Sequence, residues 1–243
     1  AFCLINKLKR IKKHIMRNGL FITFEGLEGC GKTTQAKMLF DFLISQKIPA
    51  IYTKEPGGTK IGGKIRKILL DQKNGDMDYK TEMLLFLASR AENVRLIILP
   101  ALEEGKVVIS DRFYDSTTAY QGYGRGIDLK ITQNLNKLVV GKAIPDLTFF
   151  LDIDPHEGLR RSSSFGNSRE MRFEEEFIKK KIIGGKLFLE RVRQGYCQLS
   201  YEETARIKII NANRSKEDIF EEIKKIVEKK LRISTKQCLG KKL

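Results

Sequence analysis

Residues 26–33 read Gly26-Leu27-Glu28-Gly29-Cys30-Gly31-Lys32-Thr33, between a short apolar run at 20–24 and a helix-periodic stretch at 35–46. Few features restrict a fold as strongly as a strand, a glycine-rich loop and a helix in immediate succession. The glycines let successive backbone N–H groups converge on a triphosphate. Lys32 places a point charge on its β/γ oxygens, the Thr33 hydroxyl can ligate Mg²⁺, and Thr34 closes the ATP-binding stretch. The following helix begins near Lys32, so its dipole favours anions at the same spot. A chance glycine-rich turn would lack both flanks. The motif specifies a nucleoside triphosphate with magnesium, and by itself it leaves kinase, ATPase and GTPase switch open.

Five apolar or β-branched runs, at 20–24, 50–53, 107–110, 147–153 and 206–211, are separated by helix-length segments. That alternation predicts an α/β fold with a central five-stranded parallel sheet covered on both faces, ligands gathering at the carboxyl ends of its strands. Helix patterns occupy 62–70, 81–102, 129–139 and 215–231. A polar, arginine-bearing segment at 166–173, between helix-like stretches at 155–163 and 174–200, reads as a mobile lid, about 160–174 with its borders. With 243 residues and no repeat or Pro-rich linker, one domain at 19–231 is the economical division, with basic extensions at 1–18 and 232–243.

The net charge of +16 suggests nucleic acid at first sight, but residues 1–18 and 229–243 hold six basic side chains each and no acid. The body keeps a mild excess that suits a pocket for two phosphorylated ligands rather than a DNA-tracking stripe. Leu4, Leu8, Ile11 and Ile15 fall at helical spacing among the N-terminal basic residues. We read them as an extension outside catalysis rather than a transit or surface helix, because the tract is not Ser-rich. Cys3, Cys30, Cys197 and Cys238 show no paired spacing, which fits a reducing cytoplasm better than a disulfide framework or a zinc site. Two histidines, His14 and His156, are too few for imidazole metal sites or histidine triads. No run approaches the length of a membrane span.

Other candidate residues follow the predicted strands. Asp111 ends the third and can hold the magnesium shell as a Walker-B carboxylate does. Arg112 beside it can fork onto a phosphate. Thr117, Tyr120 and Gln121 follow on the same segment, which weakens a purely structural Asp–Arg pair. After the second strand comes Lys54-Glu55-Pro56-Gly57-Gly58-Thr59, in isolation only a turn, and then Arg66. Phe86 and Arg90, four residues apart, share a helix face, so a pocket using both would offer a ring to stack on a base and a cation for its edge. Phe86 taken alone is more often a core residue.

Taken together, the stretches Phe24-Glu25-Gly26 through Thr34, Glu55-Pro56-Gly57-Gly58-Thr59, Leu85-Phe86-Leu87-Ala88-Ser89-Arg90, Asp111-Arg112-Phe113, Ala119-Tyr120-Gln121-Gly122 and Pro145-Asp146-Leu147 resemble the thymidylate kinase (dTMP kinase) family in its bacterial form, in order over about 20–212. The resemblance implies a three-layer P-loop kinase fold, a homodimer packed through helices such as 81–102, and transfer of the ATP γ-phosphoryl group to dTMP. It further implies that Arg112 and Arg66 hold the dTMP phosphate and that Phe86 stacks on thymine. Arg90 would bond O4, Gln121 and Thr117 would meet N3, and Tyr120 would crowd the ribose 2′ position. Glu28 would face the sugar 3′-OH. Some members carry a basic residue in the P-loop. Here that region offers only Glu28 and Gly29, so the resemblance moves the catalytic arginine to the lid. Arg172 in Arg172-Phe173-Glu174 and Arg169 are the candidates, with Arg160 and Arg161 on the preceding helix. This chain has Lys54 where an arginine is common, and Met171 where an acid precedes the lid arginine.

A dTMP phosphate is already ionised at neutral pH, so no general base is needed. Lys32, the loop amides, Mg²⁺ and a lid arginine would share in-line transfer. Two other functions remain open from the residues: a P-loop kinase for a different acceptor, and a nucleic-acid-associated ATPase that uses the basic tails. A GTPase would need Asn-Lys-x-Asp, and Asn136-Lys137-Leu138-Val139 lacks the final acid.

Overall fold

A computed structural model describes the backbone of residues 19–164 and 182–240, and side chains over 19–162 and 187–231. Five strands form one sheet in the order β2-β3-β1-β4-β5: β1 Leu20–Glu25, β2 Ala50–Lys54, β3 Val107–Asp111, β4 Leu147–Asp152 and β5 Ile207–Asn211. Every pairing is parallel. The chain steps outward from β1 to one side and returns to build the other, so β1 stands at the switch point.

Among the described residues the main helices are α1 Lys32–Ser45, α2 Lys60–Leu70, α3 Tyr79–Asn93, α4 Tyr114–Thr117, α5 Leu129–Val140, α6 Pro155–Ser164 and α7 Ile182–Glu202 between strands, with α8 Lys216–Gly240 after β5. The single helix expected at 81–102 is interrupted. α3 widens to a π-helical stretch at Val94–Ile98 before a last turn at Leu99–Glu103. A second π-helical stretch, Thr118–Gly124, extends α4. α8 runs on to Gly240, past the boundary that composition places at 231.

Both faces of the sheet are buried, and side-chain alternation along the strands assigns each face its own core. Ile22 and Phe24 pack with Leu39, Phe149 and Ile223 under α1, α7 and α8, whereas Phe21 and Val108 pack with Ile98, Phe113 and Val140 on the opposite side. This sandwich fixes the carboxyl ends of β1 and β3 side by side, where the loops at 26–31 and 112–113 emerge.

Candidate active site

The P-loop spans Gly26 to Gly31 between β1 and α1, and Gly31 caps α1 from the left-handed region with φ 91°. Lys32 is buried. Its Nζ donates to the Leu27 carbonyl at 2.7 Å and lies 3.9 Å from a Glu28 carboxylate oxygen. The Thr33 hydroxyl donates to Asp111 at 2.5 Å. Cys30 is buried and lends the loop its backbone, while Thr34 is exposed on the first turn of α1.

Packing against α6 bars any side chain at Gly29. With φ at +72°, a Cβ there would meet the Gly158 carbonyl oxygen of α6 at 2.0 Å, and a Cβ on Gly158 would meet the Glu28 carbonyl at 2.7 Å. Two glycines thus let α6 lie backbone to backbone on the phosphate loop. Gly29→Ala is expected to cost about 1–3 kcal/mol through combined strain and overpacking. The KM for ATP should rise, seen in thermal unfolding and in ATP titration. An unchanged melting temperature would contradict this packing.

Arg112 also sits in the left-handed region, with φ 70°, rare for a side chain of this size. Surrounding bonds over-determine it. Its N–H donates to Phe24 O at 2.9 Å, and its carbonyl accepts from Ser110 Oγ at 2.7 Å. The next residue, Phe113, donates its N–H to Glu25 at 2.7 Å. From this perch the guanidinium donates to Gly26 O at 3.1 Å, to Ser116 Oγ at 3.2 Å and to the Glu28 carboxylate, with its carbon 5.1 Å from the centre of the Tyr120 ring. Burial by itself would raise the Glu28 carboxyl, but Lys32 and then Arg112 pull it down to about 2. An anion is therefore held between the lysine of the P-loop and the arginine after β3.

Glu25 lies behind this pair, fully buried, and accepts from Ser116 Oγ at 2.5 Å and Tyr196 OH at 3.0 Å. Burial, and next the charge of Asp115, raise its carboxyl to about 7. In the unfolded chain a glutamate titrates near 4.3. The folded form thus binds the extra proton between those values, and the stability Glu25 confers is complete below about 4.3 and fades as pH rises through 7. Wild-type stability minus that of Glu25→Gln should fall by roughly 3 kcal/mol from pH 4.5 to 8. Urea unfolding across that range tests it; a flat difference would refute the buried proton.

One cavity joins these groups to the rest of the predicted set. Lys32, Thr33, Asp111 and Glu28 line it together with Arg66, Phe86, Arg90, Arg112, Thr117, Tyr120 and Gln121, and Lys54 contributes as well. Phe86 is half-buried in the cavity wall rather than in the core. Arg66 donates to Pro56 O at 3.0 Å, which ties α2 to the turn at 55–58.

Arg90 is fully buried, and its fork is largely committed. Nε donates to Glu55 at 2.7 Å, Nη1 to Thr117 Oγ1 at 2.8 Å and to Asn136 Oδ1 at 3.1 Å, and Nη2 to Phe113 O at 3.1 Å. Of a guanidinium's five N–H groups this leaves one on Nη2 with no partner among the described residues. Asn93 completes the support with a bond to Glu55 at 3.1 Å.

Sequence reasoning did not single out Glu25, Glu55, Asn136, Ser116 or Glu82. An acid closing the apolar run of β1 was a readable signal for Glu25, and Glu55 stood in the quoted Glu55-Pro56-Gly57-Gly58-Thr59 stretch without an assigned role; Glu82 and Asn136 are distant in sequence from the groups they brace, and nothing marked Ser116. Arg169 and Arg172 lie outside the described residues. Arg160 and Arg161 both pair with Glu157, at 2.7 and 2.6 Å, and Arg161 also donates to Ala212 O at 2.9 Å.

The sequence model of the family described as thymidylate kinase matches residues 24–223. The chain belongs to the thymidylate kinase family. A thymidylate kinase of Maridesulfovibrio salexigens is 46% identical over 213 residues, 86% of this chain and 96% of that protein. One from Halothermothrix orenii is 47% identical over 206 residues, 84% of this chain and 94% of the other. Among solved structures, thymidylate kinase from Ehrlichia chaffeensis aligns with a TM-score of 0.67 and 34% identity, covering 87% of this chain and 99% of its own. The family-model match begins near the end of β1 and spans the P-loop, the cavity-lining residues and β2 to β5.

Proposed function

We propose that this chain phosphorylates dTMP to dTDP with ATP, by in-line transfer of the γ-phosphoryl group to the dTMP phosphate. The observation that carries the reading is that one cavity holds a triphosphate-binding lysine and hydroxyl, Lys32 and Thr33, together with a ring, a cation and an amide suited to a pyrimidine, Phe86, Arg90 and Gln121. Lys32 and the loop amides hold the donor phosphates. Arg112, with Arg66, holds the acceptor phosphate, taking it in exchange for Glu28, whose carboxylate then turns to the sugar 3′-OH. Tyr120 and Thr117 close the sugar and base side, and Tyr120 favours deoxyribose. The nucleophile is an ionised phosphate oxygen, so positioning and charge neutralisation do the chemistry.

Thr33 and Asp111 offer neighbouring hard oxygen donors, which fit Mg²⁺ held together with substrate phosphates. When bound there, the ion supplies neutralisation of charge on the β- and γ-oxygens. A lid arginine, Arg172 or Arg169, completes the set in this proposal on the strength of sequence alone. So do a cytoplasmic location and a homodimer, for which Leu84 and Leu96 supply exposed apolar side chains along 79–98. Among the described residues no helix is long and apolar enough to cross a membrane.

A coupled assay of ADP formation with dTMP, dUMP, dCMP, dGMP and AMP in turn tests the reading. dTMP should give the highest kcat/KM, and equal or better use of a purine acceptor would overturn it. Deleting 1–18 should leave dTMP phosphorylation intact, whereas loss of all ATP-dependent turnover would favour the nucleic-acid-associated alternative.

A further inference from the structure

Gln121 is 3% exposed and lines the cavity, so its amide has little freedom and its orientation matters. An amide can present either a carbonyl acceptor or an NH₂ donor. Here Nε2 donates to Glu82 Oε1 at 3.0 Å. Glu82 lies in the first turn of α3 and is itself buried. Arg125 holds it through a fork, Nε to Oε1 at 3.2 Å and Nη2 to Oε2 at 2.6 Å. A carboxylate paired in this way accepts only, so it can receive the NH₂ side of Gln121 and cannot satisfy the carbonyl side. Gln121 Oε1 meets no protein donor among the described residues and is not sealed from the cavity.

We propose that Glu82 is a positioning residue for acceptor-base specificity: it locks the Gln121 amide so that the cavity sees a carbonyl oxygen. This rests on the dTMP reading above. Thymine offers a donor at N3 and an acceptor at O4, the complement of Gln121 Oε1 and the remaining Arg90 Nη2–H. Cytosine inverts both, with an acceptor at N3 and an amino donor at C4. Released from Glu82, the Gln121 amide can turn, and its NH₂ then meets the cytosine N3. Glu82 touches neither base nor phosphate in this scheme and acts entirely through Gln121.

The test is kcat and KM for dTMP and dCMP in the full chain and in Glu82→Gln, Glu82→Asp, Gln121→Leu and the Glu82→Gln/Gln121→Leu double variant. Glu82→Gln should lower the dTMP-over-dCMP ratio of kcat/KM by about 10- to 100-fold, mostly through KM for dTMP. Its kcat at saturating dTMP should stay within about threefold of wild type. Glu82→Asp keeps the charge but withdraws the oxygen, so a smaller loss of the same kind is expected; it carries the comparison if Glu82→Gln is recovered unfolded. In the Gln121→Leu background the Glu82→Gln change should leave the ratio unaltered. An unchanged ratio in both Glu82 variants overturns the proposal, as do a parallel fall in kcat for both acceptors and a ratio that Glu82→Gln still changes in the Gln121→Leu background. If the wild type shows no preference for dTMP, the acceptor reading falls and this proposal falls with it. A wild-type preference that survives Glu82 replacement removes this proposal alone.

Discussion

Lys32→Met is expected to reduce kcat by about 10²–10³-fold, the scale of removing one preorganised donor from a site of developing charge. Methionine matches the lysine stem in length and polarity, so the buried channel between Leu27 and Glu28 stays filled. What disappears is the ammonium, held at 2.7 Å from Leu27 O and fixed before any ligand arrives. The same change removes from Glu28 one of the three cations that depress its carboxyl, leaving Arg112 and Arg66 to hold it. ATP binding should weaken less than turnover, because the charge to be neutralised grows on the way to the transition state. Single-turnover kinetics with saturating dTMP would show the loss. A variant within threefold of wild type would mean that the loop amides suffice and that the lysine is structural.

The second large effect is on folding. Arg90→Met should destabilise the protein by about 3–5 kcal/mol, because it strands the Glu55 carboxylate in the interior together with Thr117, Asn136 and the Phe113 carbonyl. For a chain of this size that corresponds to a melting temperature lower by about 10 °C or more. Lysine at 90 is not a rescue, since a single ammonium cannot reach the four partners that the planar fork serves from one point. The KM for dTMP should rise as well. A loss of activity at unchanged melting temperature would show that Arg90 reads the base without bracing the site.

These two residues show how unevenly the molecule was legible. Lys32 announced itself because strand, glycines, lysine and helix are consecutive, and local steric rules tie such a loop to one geometry. The five strands were readable for a related reason: each is a short apolar run between helix-length segments, and a parallel sheet buried on both faces needs that. The four-residue spacing put Arg90 on one helix face with Phe86, and both side chains line the cavity. Its second occupation as a strut was not readable, because Glu55 and Asn136 lie 35 and 46 residues away and only the fold brings them together. The left-handed backbone of Arg112 was equally hidden; arginine has no preference for it, and the bonds from Glu25, Phe24 and Ser110 impose it. The orientation of the Gln121 amide depends on a carboxylate 39 residues upstream. The interruption of the long helix at Val94–Ile98 left no trace in a pattern whose apolar period simply continues.

The pairing of β1 with β3 has a kinetic meaning. Phe24 stands opposite Asp111, and the ladder continues past the strand ends through Arg112 N–H to Phe24 O. The P-loop leaves one strand and Arg112 leaves its neighbour, so the donor and acceptor sites of the proposed reaction are anchored on strands about 4.8 Å apart. Sliding β3 by one residue would move Arg112 by about 3.3 Å along β1 and turn its side chain to the other face. Reacting atoms must meet within about 3–3.5 Å for in-line attack. In the proposed transfer, the distance over which phosphate would be handed across is therefore gauged by paired backbone at the centre of the sheet.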